Sequence, residues 1–234
     1  MTEFRPGGFQ MIPPVIKNLI IVNVLVFLAQ QVFANNSSFD IDNTFALHDI
    51  HSVYFKPFQI ITHMFMHGGW DHLFFNMFAL WMFGSILENV WGGKRFLIYY
   101  VLCGLGSAAL HLAVLYYENG QLLQEFNSWD VLRQQAEGAN VYGQINEATL
   151  GASGAIFGCL AAFGYLFPNS LIYLYFFVPI KAKWFVLIYA AMELFLGVRN
   201  SAGDNVAHFA HLGGAVMGLI LVIYWNRNKR RNFY

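Results

Sequence analysis

Residues 15–34 read VIKNLIIVNVLVFLAQQVFA, with Lys17 as the single charge. A run this long and apolar fits one setting best. About 20 helical residues cross the ~30 Å hydrocarbon layer, and lipid offers no partner for a backbone N–H or C=O, so the segment must be a helix. Five more apolar stretches follow at 70–90, 94–117, 151–167, 183–198 and 206–225. A water-soluble core could not hide them. The chain is 57% hydrophobic and 11% charged, against about 25% charged in ordinary soluble domains. The expected fold class is therefore all-α: a polytopic membrane bundle of six transmembrane helices over 15–226. A polar tail, 1–14, precedes it and a basic tail, 227–234, follows.

Six crossings put both termini on one side, and positive charge sets which side that is. Arg5, Lys17, Lys94, Arg95, Lys181, Lys183, Arg227, Lys229, Arg230 and Arg231 share the side of the termini, whereas only Lys56, Arg133 and Arg199 fall opposite. Both termini are thus expected in the cytoplasm, with the protein in a bacterial cell membrane. The start of the chain lacks the basic and apolar regions of a cleaved leader, so the first apolar segment is expected to be kept. Net charge is zero, which argues against a nucleic-acid partner. Cys103 and Cys159 sit inside apolar runs and read as small core residues. The segment 171–180 is too short to cross and reads as interfacial. The loops 35–69 and 118–150 lie on the far side, the second as a long polar insert.

Polar side chains within a membrane need a partner or a wet cavity, and here they cluster. The second, fourth and sixth segments run in the same direction. Near their first turns stand His72 and Asn76, then Ser153, then His208 and His211. At 1.5 Å per residue these share a depth within about two turns. His72 and Asn76 are spaced i, i+4 on one helix face. Gly154 and Gly158, and separately His211, Gly214 and Gly218, also share faces, and small residues let helices approach closely. A serine becomes a nucleophile when an adjacent base takes its proton, and a neutral imidazole suits that task near neutral pH. Attack on an amide creates an oxyanion, for which His72, Asn76 and the Ser153 N–H are candidate donors.

Each residue has a plainer reading. A lone serine on a small-residue face bonds a neighbouring carbonyl, a lone histidine packs, and an asparagine joins helices. Chance alignment of all three roles at one depth is the weaker account. Glu193 and Glu88 read as structural because both fall away from the histidines in depth. Glu88 is expected to accept hydrogen bonds from nearby backbone. His48, His51 and Ser52 read as solvated or interfacial, and His111 is unassigned. His63, His67 and His72 have a spacing that could suggest zinc. No H-E-x-x-H accompanies it, so the expectation is no metal and no cofactor, with His63 and His67 tying the first far-side loop to the second helix. Two other functions fit the composition: a transporter using the histidines and Glu193 as a proton path, and a non-enzymatic binder of membrane helices.

Three motifs, HMFMHGGWDHLFFN (63–76), GASGAIFG (151–158) and AHLGGAVMG (210–218), together resemble those of the rhomboid intramembrane serine proteases. The resemblance covers nearly all of 15–226. It implies Ser153 as nucleophile, beginning two residues after Gly151, and His211 as base, in a dyad without an acid. His72 and Asn76 take oxyanion positions. It also implies a rhomboid-like bundle with a water-filled cavity opening to the outer face, no metal, and substrates that are membrane proteins with a transmembrane helix, cut within the lipid bilayer near that face. The match departs at Phe58 and Gln59, where many members carry Trp-Arg, and at the insert 118–150, a candidate for shaping substrate access.

Overall fold

A computed structural model describes residues 9–34, 39–174, 177–199 and 208–230. Helix α1 (Pro14–Phe33) is followed by the short helices α2 (Ile41–Phe45) and α3 (Gln59–Thr62). Next, α4 (Trp70–Ala79) passes through one π turn (Leu80–Gly84) into α5 (Ser85–Trp91), forming a single rod. Then come α6 (Gly93–Ser128), α7 (Val131–Ile145), α8 (Ser153–Leu166), strands β1 (Leu171–Leu174) and β2 (Val178–Lys181), α9 (Ala182–Arg199) and α10 (His208–Arg230).

Each expected apolar segment is helical. The first two residues of the last segment, Val206 and Ala207, lie outside the described residues. Among the described residues, four helices are long and apolar enough to cross a membrane: Pro14–Phe33, Trp70–Trp91, Gly93–Ser128 and His208–Arg227. Helix α8 is apolar but has 14 residues, about 21 Å at 1.5 Å each. Helix α9 carries Lys183, Glu193 and Arg199 over its 18 residues.

The polarity runs inside out. Leu25, Phe75, Phe195 and Ile220 are exposed, whereas Asn23, Gln30, Ser107 and Glu193 are buried. In water that distribution would be unstable. In lipid, apolar side chains face the solvent and polar ones must find partners inside. The protein is a polytopic helical membrane protein.

Three helices form the centre, with α10 packed on both α6 and α8. Small residues bring their backbones together. A methyl group added at Gly214 would run into the carbonyl of Gly154, and one at Gly154 into the Ser107 side chain. Gly158 faces Cys103 and the Gly214 carbonyl, and Gly218 faces Gly158. Tyr99 joins α6 to α8 by donating its hydroxyl to the Gly158 carbonyl at 2.7 Å. Cys103 and Cys159 are both buried as free thiols in this core.

At the opposite end of the rod, Glu88 caps a different helix. Helix α1 begins at Pro14 with no side-chain cap of its own. The Glu88 carboxylate accepts hydrogen bonds from Val15 N at 3.0 Å and Ile16 N at 2.8 Å, where the helix dipole favours negative charge. Glu88→Ala strands those two N–H groups. It is expected to lower stability by about 3 kcal/mol, measurable as a reduced unfolding midpoint in detergent.

Two local structures add detail to the sequence expectation. Around 171–180, β1 and β2 pair antiparallel, with Leu171 opposite Lys181 and Ile172 opposite Ile180. This hairpin connects α8 to α9. The insert 118–150 is largely helical, because α6 continues to Ser128 and α7 folds back from it. Phe126, Val141 and Ile145 bury a small separate core there. Asp130 caps α7 by accepting from Arg133 N at 3.0 Å.

The helical insert changes the reading of the first long loop. His48 and Ser52 are buried, not solvated. The His48 imidazole Nδ1 meets the Asn146 carbonyl at 3.1 Å, and the Ser52 hydroxyl donates to Asn146 Oδ1 at 2.7 Å. Asp49 accepts from Asn119 Nδ2 at 2.9 Å and contacts His51 Nδ1 at 2.9 Å. Leu47 and Thr149 exchange backbone hydrogen bonds at 2.8 Å each. Gln59, where the resemblance departs, is fully buried. Its amide donates to the Tyr54 carbonyl at 2.9 Å and accepts from Lys56 N at 3.0 Å, so it organises the loop from within.

Candidate active site

Ser153 is the first residue of α8, and His211 lies in the first turn of α10. The close glycine contacts between these helices bring the two side chains together: His211 Nε2 is 2.8 Å from Ser153 Oγ. The preceding residue is Ala152, with no side-chain cap. The first N–H groups of α8 therefore have no intrahelical acceptor and carry the positive end of the helix dipole. Gly151 adopts φ +135, a conformation that residues with a Cβ rarely reach. A Cβ there would also lie 3.0 Å from the His72 ring.

His72 thus stands across Gly151 from the serine. Its Nδ1 accepts from Gly68 N at 3.2 Å. In the neutral ring this puts the proton on Nε2, the nitrogen that faces Gly151. Asn76, one turn along α4, is buried and donates Nδ2 to the His72 carbonyl at 3.0 Å. One N–H of its amide remains for another acceptor.

His63 and His67 are both buried. His63 Nδ1 donates to the Gln59 carbonyl at 2.8 Å, and its own carbonyl accepts from Gly151 N at 3.0 Å. The backbone of His67 hydrogen-bonds to α1. Its backbone N donates to Gln30 Oε1 at 2.9 Å, and its carbonyl accepts from Gln30 Nε2 at 3.1 Å. Its ring packs edge to face on His72 at 5.2 Å.

Burial pushes His63 down to about 4, against backbone hydrogen bonds that act in the opposite direction. Burial, and then the neighbouring His72, push His67 down to about 4. Unfolding restores an ordinary value near 6.5. Between those limits the unfolded chain binds more protons, so stability rises with pH. The fold is expected to keep its stability above about pH 6.5 and to lose it progressively down to about pH 4. Unfolding midpoints measured across that range check this, and replacing both histidines with glutamine is expected to flatten the dependence.

Three residues complete the site that the sequence alone did not place there. Phe157, four residues after Ser153 on the same helix face, stacks on the His211 ring with centroids 4.3 Å apart and planes 4° apart. The i+4 spacing was the available signal. Glu193 was expected to lie away from the histidines, but the structure places it among them. Its Oε2 is 2.6 Å from His208 Nδ1 and 3.1 Å from His211 Nδ1. Glu193 is six residues from the α9 end at Arg199, about 9 Å along the axis, which matches the first turn of α10. Glu193, His208 and His211 each offer a ligand atom within 4.8 Å of the others. His111 Nε2 meets the Thr149 hydroxyl at 2.7 Å. His111, Thr149, His63 and Ser107 line a small pocket that also takes in Ser153.

Fold and site together define a multi-pass helical membrane protein with a serine and a histidine in hydrogen-bond contact at one end of its bundle. A rhomboid domain family model matches residues 54–228. The chain is 27% identical over 225 residues to RHOMBOID-like protein 12, mitochondrial, of Arabidopsis thaliana, covering 94% of this chain and 60% of that one. It is 31% identical over 167 residues to Rhomboid protein 1, mitochondrial, of Saccharomyces cerevisiae, covering 69% and 40%. It is 29% identical over 169 residues to Rhomboid protease AarA of Providencia stuartii, covering 68% and 53%. The chain belongs to the rhomboid family. It spans between 40% and 60% of the length of the first two of these relatives.

Proposed function

We propose that the chain is an intramembrane serine endopeptidase that cuts transmembrane segments of membrane proteins near the extracytoplasmic face. The observation that carries this reading is the 2.8 Å contact between Ser153 Oγ and His211 Nε2. His211 takes the hydroxyl proton as Oγ attacks the scissile carbonyl carbon. The carbonyl electron pair moves to oxygen. Donors fixed beforehand favour that charge: His72 Nε2–H, the free N–H of the Asn76 amide and the Ser153 backbone N–H. Collapse breaks the C–N bond, and His211 returns its proton to the leaving amine. A water molecule then repeats the sequence on the acyl ester.

In this reading six helical spans cross the membrane: α1, the α4–α5 rod, α6, α8, α9 and α10. Helix α8 is shorter than the hydrocarbon is thick, which leaves its first residue, Ser153, below the lipid surface. The loops 39–69 and 118–150 lie outside. Both termini are cytoplasmic, on the bias of ten positive residues to three, and the host membrane is a bacterial cell membrane. A substrate helix must unwind locally before attack, because its own turns shield each amide.

A fluorophosphonate probe tests the reading. The purified protein in detergent is expected to be labelled, and Ser153→Ala is expected to abolish both labelling and cleavage of a single-span substrate. Labelling that survives the substitution would refute the nucleophile.

A further inference from the structure

We propose that Glu193 is a positioning residue for His211, extending the Ser153–His211 pair to a Ser–His–Glu triad anchored by His208. This rests on the protease reading above. Three observations carry it. Oε2 of Glu193 lies 3.1 Å from His211 Nδ1, while the other nitrogen of the same ring contacts Ser153 Oγ at 2.8 Å. Glu193 is only 4% exposed, and a buried charge of this kind is costly unless paired. Its ion-pair partners among the described residues are two imidazoles, His208 at 2.6 Å and His211.

The geometry gives the two histidines different tasks. His208 makes the short contact and fixes the carboxylate. His211 Nδ1 is buried and close to the same oxygen but lacks an aligned hydrogen bond. Such contacts commonly tighten only when substrate is bound. Phe157 holds the imidazole flat from one face, leaving rotation in its own plane as the freedom that the carboxylate restricts. A proton on Nδ1 keeps Nε2 as the lone-pair nitrogen toward Ser153. When Nε2 takes the serine proton, the ring becomes a cation beside the Glu193 anion. The proton on Nδ1 stays there throughout, and Glu193 remains ionised. The carboxylate orients the base and stabilises the charge that develops on it, the part an acid plays in water-soluble serine proteases.

The test uses the full chain in detergent, a single-span substrate and the fluorophosphonate probe. Glu193→Gln keeps the size and a hydrogen-bond acceptor but removes the charge. It is expected to lower kcat at least about 100-fold, with KM within about threefold and a retained unfolding transition. Glu193→Asp keeps the charge on a chain shorter by one methylene, and is expected to retain more activity than Glu193→Gln. His208→Gln is expected to fall between wild type and Glu193→Gln. Should Glu193→Gln fail to fold, the aspartate and His208 variants still carry the comparison with wild type: full wild-type kcat in both overturns the proposal. Wild-type kcat in Glu193→Gln, or more activity in it than in Glu193→Asp, also overturns it. So does activity lost to a chelator and restored by zinc, since the Glu193, His208 and His211 cluster would then be a metal site. Labelling that persists in Ser153→Ala refutes the underlying serine reading instead. Labelling that is lost in Ser153→Ala but unchanged in Glu193→Gln refutes only the role of the acid.

Discussion

His211→Ala is expected to reduce cleavage of a single-span substrate by at least about 10⁴-fold while leaving the unfolding midpoint nearly unchanged. The side chain is the sole described partner of the Ser153 hydroxyl, and without a base the hydroxyl is a weak nucleophile. Structural loss should be small. The imidazole lies at the polar end of the α8–α10 contact, stacked on Phe157, and the helices are joined below it by glycine backbones. The measurement is kcat/KM on a reconstituted substrate beside a thermal melt in detergent. Activity within tenfold of wild type would remove His211 from the reaction.

Gly214→Leu is expected to do the opposite: to break the fold first and the activity as a consequence. A Cβ at this position meets the carbonyl of Gly154, which is backbone and has no alternative rotamer. Overpacking a core ordinarily costs about 1–3 kcal/mol, and a backbone collision belongs at the upper end. That corresponds to a midpoint lower by about 6–12 °C for a chain of this size. Val216, two residues along, is exposed, so Val216→Leu is expected to leave both midpoint and activity unchanged. If Gly214→Leu melts as wild type does, the close approach of α8 and α10 is not what holds the bundle.

Much of this was legible in the sequence because a membrane makes polar residues conspicuous. Ser153, His211, His72 and Asn76 stood out as hydrophilic groups in apolar runs, and helix direction alone put them at one level. Glu193 stood out for the same reason, yet its level was misjudged. The helix bounds themselves match the sequence reading within one residue; what the sequence does not show is that the first turn of α10 lies beside Glu193 rather than beside the end of α9. His48 and Ser52 were misread for another reason. Their shared partner, Asn146, lies 98 and 94 positions away, in an insert whose polar composition gave no sign that it would fold over the loop. The hairpin at Leu171–Leu174 and Val178–Lys181 escaped because a short apolar run has no period that separates a strand from an interfacial segment.

The direct touch of peptide groups between α8 and α10 has a consequence for how the protein meets lipids of different thickness. Two rods held apart by long side chains can slide when squeezed. These two are referenced to each other through main-chain atoms, with Gly214 against the Gly154 carbonyl and Gly218 against Gly158. A thinner or thicker bilayer should therefore tilt the peripheral rods, such as α1, before it changes the spacing at the centre. Reaction rates in a series of phosphatidylcholines of increasing acyl length should then track how readily substrate enters, while the rate of labelling by a small soluble probe stays nearly constant.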